Sequence, residues 1–197
     1  MKKWVLILTA AILFSASLSQ AADPLPRVQL STSMGDIVVE LNPAAAPKTV
    51  DNFLAYVNAG FYNGTIFHRV IAGFMVQGGG YDEKMQRREP TRPPIVNEAD
   101  NGLSNRIGSI AMARTADPHS ASAQFFINVK DNDFLDHRGK TQQGWGYCVF
   151  GKVVSGMNVV KAIENVPTTA RAGMRDVPVT PVVIKAATLL TMPANSP

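Results

Sequence analysis

Residues 67–80 read Phe67-His68-Arg69-Val70-Ile71-Ala72-Gly73-Phe74-Met75-Val76-Gln77-Gly78-Gly79-Gly80, and they set one arginine and one glutamine among large apolar side chains. An arginine on a strand usually faces solvent, and Phe-Met runs usually belong to a core. Alternating polarity over residues 65–70 and 74–77 nevertheless predicts two short strands joined at residues 71–73. Arg69 and Gln77 would then project from neighbouring strands, which favours a cation on an apolar wall with an amide able to fix its direction.

The rest of the chain combines short strands, loops and two amphipathic helices. Strand patterns cover residues 28–32, 36–41, 107–113, 124–128, 149–154 and 182–190. Helix patterns run from Pro47 to a stop at Gly60, and from Met157 to Asn165. Residues 78–106, 139–146 and 169–178 are predicted to be loops. Many strands without a repeating strand-helix-strand order favour a mainly β protein built as an antiparallel barrel.

Four further segments give the Arg69 stretch its context. They are Gly108-Ser109-Ile110-Ala111-Met112-Ala113-Arg114, Ser122-Ala123-Gln124-Phe125-Phe126-Ile127-Asn128, Phe134-Leu135-Asp136 and Tyr147-Cys148-Val149-Phe150-Gly151-Lys152-Val153. In this order the five segments resemble the cyclophilin family of peptidyl-prolyl cis-trans isomerases, from about Val28 to Leu190. An insertion before Tyr147 and an N-terminal export segment resemble the bacterial periplasmic branch. The resemblance implies a closed eight-stranded antiparallel β-barrel with a helix over each end.

The resemblance also assigns roles to individual residues. It implies that Arg69 and Gln77 are catalytic and that the proline ring enters a slot lined by Phe74, Met75, Phe126 and Leu135. The backbone of Ala113 and Arg114 would hold the substrate chain, with Gln124 as a polar contact beside them. Members of the family often have Asn at the position of Arg114, Trp at that of Phe134 and His at that of Tyr147. The departures at Phe134 and Tyr147 bear on drug binding and substrate preference, not on the chemistry. Arg114 is expected to cost little, because its contact is through the backbone, and it adds a cation at the groove rim.

Arg69 suits the chemistry that this family performs. The bond before proline rotates slowly, because amide resonance gives a barrier of about 18–20 kcal/mol. In the twisted state the prolyl nitrogen becomes pyramidal, and its lone pair can accept a hydrogen bond. A donor aimed at that nitrogen stabilises the twisted state over both planar states, without a metal, a cofactor or a covalent step. A guanidinium is always charged and forked, and we expect Gln77 to orient it.

The first 21 residues have the pattern of a secretory signal peptide. Lys2 and Lys3 precede an apolar run over residues 4–18, and small residues end at Ala21, where cleavage is predicted. The run is short for a membrane anchor, and position 21 is not the cysteine of a lipoprotein. We therefore expect a periplasmic protein, free of the membrane after cleavage, with residues 22–197 forming one domain whose core spans about 28–190.

Composition excludes several other classes of protein. Once Lys2 and Lys3 are removed with the signal peptide, 17 Lys and Arg residues remain against 15 Asp and Glu residues. Basic residues are not interleaved with aromatic ones, so the sequence does not predict a nucleic-acid partner. The three histidines lack the spacing of metal ligands, which counts against a metal site. The G-x-S-x-G motif of serine hydrolases does not occur, which counts against a hydrolase. His68 alternates to the face opposite Arg69 and is predicted to be structural. The single cysteine, Cys148, cannot form an internal disulfide and is expected to be buried and inert.

Three functions remain compatible with these features. The first is an isomerase for X-Pro bonds that accelerates the folding of exported proteins, with proline-containing unfolded or partly folded polypeptides as partners. The second is a peptide-binding chaperone on the same barrel, and the third is a small-ligand carrier with an interior cavity. A pure binder has no need for the Arg69 donor, and bulky strand residues leave little room for a cavity. The isomerase is the interpretation we adopt, and we expect a monomer.

Overall fold

The computed structural model describes residues 24–190, so the predicted signal peptide and its cleavage site lie outside the described residues. The described strands are β1 (Arg27–Thr32), β2 (Gly35–Leu41), β3 (Thr65–Ile71), β4 (Met75–Asp82), β5 (Ser109–Met112), β6 (Phe125–Asn128), β7 (Val149–Ser155), β8 (Thr168–Arg171), β9 (Met174–Pro178) and β10 (Val183–Leu190). The helices are α1 (Pro47–Asn58) and α2 (Met157–Glu164), with a 3-10 turn at Asp133–Leu135. Within residues 24–190, no helix has the length and apolar character needed to span a membrane.

Eight of the strands close into an antiparallel barrel. Around the barrel the order is β1, β10, β3, β4, β6, β5, β7 and β2. The first and last strands pair along their lengths, with Arg27 opposite Leu190. The predicted eight-stranded antiparallel barrel is therefore confirmed.

The barrel interior is filled by side chains rather than hollow. Strand alternation sends Phe67, Phe125 and Phe150 inward, and each of them is fully buried. Phe53 of α1 packs on this group, with its ring centroid 5.7 Å from that of Phe125 and 5.1 Å from that of Phe150. Small eight-stranded barrels are filled in this way, and the filling counts against the carrier hypothesis.

The two helices begin and end close to the predicted positions. Pro47 occupies the first turn of α1, where its missing N–H leaves no bond unmade, and Gly60 follows the helix with φ of +65°. α2 contacts β2, β3 and β4, and its buried Val160 and Ile163 join the barrel core. Most other predicted boundaries differ from the observed ones by no more than two residues.

One predicted loop begins too early. The sequence predicts a connection from Gly78, whereas β4 continues to Asp82. These strand positions are occupied by glycine because neighbouring side chains cross directly over them. A Cβ on Gly79 would lie 2.8 Å from the ring of Tyr62, and one on Gly80 would collide with the side chain of Gln124. Glycine here permits close packing rather than a turn.

The predicted loop over residues 169–178 is also wrong, because β8 and β9 form a hairpin outside the barrel. All four residues of β8 are exposed, so no alternation of polarity marks it as a strand. β9 lies against β3, and its Val177 is buried in a small cluster with Ile66 and Met85. The hairpin is thereby fixed beside the strand that carries Arg69.

Candidate active site

The register of β3 and β4 brings the two predicted catalytic residues together. Arg69 is the direct partner of Gln77 across the two strands, and both are partly buried. The register slips between Phe67 and Arg69, which leaves Phe67 and Val70 in the barrel core while Arg69 faces outward. The prediction that these residues project from neighbouring strands is confirmed.

An apolar pocket lies beside Arg69 on the outer surface of the barrel. Alternation places Phe125, Val76 and Met112 inside, and it places their chain neighbours Phe126, Met75 and Ala111 in a second, smaller apolar cluster outside. The pocket has a volume of about 110 Å³. Its lining consists of Arg69, Phe74, Met75, Gln77, Ala113, Arg114, Phe126, Leu135 and Tyr147. Nine of the eleven predicted site residues therefore surround one cavity.

The two remaining predicted residues, Phe134 and Gln124, do not line the pocket but contact residues that do. Phe134 is 62% exposed and stacks on Phe74, with ring centroids 5.7 Å apart and planes 24° apart. Gln124 accepts a hydrogen bond through Oε1 from Nε2 of Gln77 at 3.0 Å. Phe134 thus extends the apolar wall toward solvent, and Gln124 fixes the direction of Gln77.

Gln77 does not orient Arg69 in the way that the sequence suggests. Among the described residues no hydrogen bond joins the two side chains, and Nε2 of Gln77 donates to Oε1 of Gln124 instead. The charged partner of Arg69 is Asp176 of β9, with Nε and Oδ2 separated by 3.9 Å. Asp176 falls in the segment predicted to be a loop, and no pattern in the sequence links it to Arg69.

Arg114 is held in place instead of extending freely from the rim. Its Nε donates to the carbonyl of Gly146 at 2.9 Å, and its Nη1 donates to the carbonyl of Thr115 at 2.9 Å. The guanidinium lies 4.6 Å from the ring centroid of Tyr147, within the range of a cation–π interaction. The added cation and Tyr147 therefore form one rigid edge of the pocket.

A network of buried asparagines, which no sequence pattern above predicts, supports the pocket from below. Asn132 donates to the carbonyl of Phe74 at 2.9 Å and to Oδ1 of Asn128 at 2.7 Å. Asn128 donates to Oδ1 of Asn105 at 3.2 Å, and the backbone N–H of Asn105 donates to Asp136 at 2.7 Å. These bonds join the strand end at Phe74 to the turn that carries Leu135. The signal in the sequence is the pair of asparagines flanking the segment between β6 and that turn.

Burial shifts the pKa values of two side chains close to the site, His68 and Cys148. His68 is 1% exposed, and burial together with the neighbouring Arg69 cation lowers its pKa to about 4. Burial raises the pKa of Cys148 to about 11, and its Sγ lies 3.5 Å from Oγ1 of Thr49. Both groups are uncharged at neutral pH. A thiol with a raised pKa is a poor nucleophile, which agrees with an inert Cys148.

Known proteins match this chain over nearly all of the barrel. The family model described as "Cyclophilin type peptidyl-prolyl cis-trans isomerase/CLD" matches residues 27–189. A peptidyl-prolyl cis-trans isomerase of Streptomyces antibioticus is 63% identical over 163 residues, which cover 83% of this chain and 98% of the relative. Peptidyl-prolyl cis-trans isomerase B of Escherichia coli strain K12 is 56% identical, covering 82% of this chain and 98% of the relative. Peptidyl-prolyl cis-trans isomerase A of Dickeya dadantii is 50% identical, covering 93% and 95%.

Solved structures match the barrel as well. A cyclophilin-type peptidyl-prolyl cis-trans isomerase of Cryptosporidium parvum superposes with a TM-score of 0.68 at 27% identity, covering 86% of this chain and 99% of that one. A second crystal structure of the Cryptosporidium protein, in the presence of the dipeptide Ala-Pro, superposes with a TM-score of 0.67, covering 84% and 99%.

Proposed function

The chain belongs to the cyclophilin-type family of peptidyl-prolyl cis-trans isomerases, and from that membership we propose that Arg69 drives the isomerisation electrostatically while the pocket beside it holds the proline ring. The isomerase class follows from the family. The mechanism and the cellular role are proposals, and the observation that carries the mechanism is the position of Arg69 on the rim of the apolar pocket.

The pocket supplies binding and Arg69 supplies the preference for the twisted state. Phe126 and Met75 are almost fully buried beneath the pocket, so their surfaces are fixed before a ligand arrives. A proline ring held there would leave the preceding peptide bond next to the guanidinium. A charged donor pointed at the pyramidal prolyl nitrogen stabilises only the twisted amide, which lowers the barrier without improving ground-state binding. The Gln77–Gln124 pair fixes the polar edge of the pocket close to this bond.

The fixed edge formed by Arg114 and Tyr147 supports a role in holding the substrate chain. The backbone N–H of Ala113 donates to the carbonyl of Gln124 at 3.0 Å, which fixes this segment relative to Gln77. We assign to Ala113 and Arg114 the contact with the substrate backbone, and to Tyr147 the contact with side chains flanking the proline. An extended peptide containing proline is the ligand that this groove fits best.

We further propose that the enzyme acts on exported proteins in the periplasm. The support is in the sequence: two lysines followed by an apolar run and small residues ending at Ala21. Uncatalysed X-Pro isomerisation takes about 10–100 s and limits folding, so a catalyst of this step would be useful where exported chains fold.

Replacement of Arg69 tests the mechanism. Arg69→Ala is expected to lower kcat/KM by about 10²- to 10³-fold, the usual effect of removing one preorganised donor. Affinity for a proline peptide should fall much less, because the apolar lining is unchanged. Arg69→Lys should also be poor, since an ammonium lacks the planar fork of a guanidinium. Turnover is measured without a coupling protease, by exchange spectroscopy on a short X-Pro peptide.

Arg92→Ala is the matched control, because Arg92 forms a surface ion pair with Asp51 of α1, at 3.2 Å, outside the pocket. This variant should keep full activity. Near-normal turnover by folded Arg69→Ala would refute the electrostatic mechanism and leave the shape of the pocket to twist the bond. A variant that keeps peptide binding while losing turnover also separates the isomerase from the chaperone hypothesis.

A further inference from the structure

The β8–β9 hairpin brings a carboxylate to the catalytic arginine. Oδ2 of Asp176 lies 3.9 Å from Nε of Arg69, and each side chain is 40% exposed. The hairpin is not loosely attached at this point, because the next residue, Val177, is 1% exposed and packs with Ile66 of β3. The position of the carboxylate is therefore set by the packing of β9 on the strand that carries Arg69.

The backbone of Asp176 is held in an uncommon conformation. Its φ is +64°, in the left-handed region that non-glycine residues rarely adopt. Asp176 lies between exposed Arg175 and buried Val177, at the point where the side chains of β9 change from exposed to buried. Strain of this kind is retained where the surrounding structure demands it, and it is frequent at functional sites.

We propose that Asp176 is a positioning residue that holds the guanidinium of Arg69 ready for the substrate. No hydrogen bond joins Gln77 to Arg69 among the described residues, and the carboxylate that pairs with Arg69 there is that of Asp176. A carboxylate on the Nε side leaves the two terminal amino groups free to donate toward the pocket. At 3.9 Å the contact is an ion pair rather than a hydrogen bond, so it restricts the direction of the side chain while allowing small movements.

This inference rests on the proposed role of Arg69. Asp176 also has an opposing effect, since a nearby anion weakens the field that Arg69 directs at the substrate. Positioning raises activity and the weakened field lowers it, and we expect positioning to be the larger effect.

Two substitutions remove the carboxylate without penalising the backbone. Asp176→Asn keeps the size of the side chain, and Asn tolerates positive φ; Asp176→Gly removes the side chain, and Gly adopts positive φ freely. Exposed ion pairs couple weakly, so kcat is expected to fall about three- to fivefold in each variant, with little change in KM. The loss should shrink in about 1 M salt, where the Debye length is about 3 Å.

A double-mutant cycle with Arg69→Ala separates positioning from a general effect on the fold. In the Arg69→Ala background, Asp176→Asn should change nothing, because no guanidinium remains to be positioned. The matched control is Asp51→Asn, which removes the partner of Arg92 at a surface ion pair of similar type and should leave kcat unchanged. Circular dichroism of each variant confirms that the fold is intact.

Unchanged or increased kcat in both Asp176 variants would overturn the inference, as would an equal loss in the Arg69→Ala background. These outcomes differ from a failure of the proposed mechanism. If Arg69→Ala alone kept its activity, the mechanism would fail whatever Asp176 does; if Arg69→Ala lost activity while Asp176→Asn did not, only the positioning role would fail.

Discussion

Lowering the pH should destabilise the enzyme through one buried histidine, His68. His68 is 1% exposed and packs against Tyr81, with ring centroids 4.7 Å apart and ring planes tilted by 51°. Burial is the main cause that lowers its pKa from 6.5 to about 4, and the adjacent Arg69 cation adds to the shift. The folded protein therefore keeps His68 neutral at pH values where the unfolded chain protonates it.

The unfolded state takes up the proton as the pH falls through 6.5, whereas the folded state takes it up only near pH 4. Stability is consequently full above pH 6.5 and is lost progressively between these two values. At 1.36 kcal/mol per pKa unit, the loss approaches about 3 kcal/mol at pH 4, a large share of the 5–15 kcal/mol typical of a domain. Glu40 and Glu164 also have lowered pKa values, and they add their own loss when the pH falls below their ordinary range.

Urea denaturation between pH 7.5 and pH 4.5 measures this effect. The variant His68→Gln, which carries no titratable group at this position, should have a flatter dependence of unfolding free energy on pH than the wild type, by about 2–3 kcal/mol over the range. An equal slope in wild type and His68→Gln would show that His68 is not the origin of the pH dependence.

Two further predictions concern the thiol and the N-terminus. Thiol reagents should label Cys148 slowly in the folded protein and rapidly in denaturant, since burial raises its pKa to about 11; rapid native labelling would show that the site opens readily. The protein recovered from the periplasm should have the mass expected for cleavage after Ala21, and a full-length species in the membrane fraction would contradict export.

The sequence predicted the features that follow from local pattern. Alternation identified β3 and the start of β4, and it predicted that Arg69 and Gln77 project from neighbouring strands; their direct pairing is seen only in the structure. The helix α1 was predicted because apolar residues recur at helical spacing between Pro47, which starts the helix, and Gly60, which ends it. The identity of the pocket residues came from the family resemblance, since alternation alone does not distinguish the outward Phe126 from a solvated strand position.

Other features depend on contacts between distant segments, which no local pattern encodes. The hairpin of β8 and β9 is stable because Val177 packs on Ile66, yet its own residues are mostly exposed. The ion pair of Arg69 with Asp176 follows from that packing and from a backbone conformation that Asp rarely adopts. The hydrogen bond between Gln77 and Gln124 also depends on a contact between distant segments, because the side chain of Gln124 crosses over Gly80.

The pairing of β1 with β10 makes the order of synthesis matter for this enzyme. Arg27 and Leu190 lie at opposite ends of the described range, yet their strands are neighbours in the barrel. A nascent chain without β10 lacks the strand that pairs with both β1 and β3, so each of these strands keeps an unpaired edge exposed to other chains. Contacts so distant in sequence also slow folding, because a long loop must close before they form. The barrel can therefore close only after its last strand has emerged, and until then the nascent chain has exposed strand edges of the kind that chaperones shield.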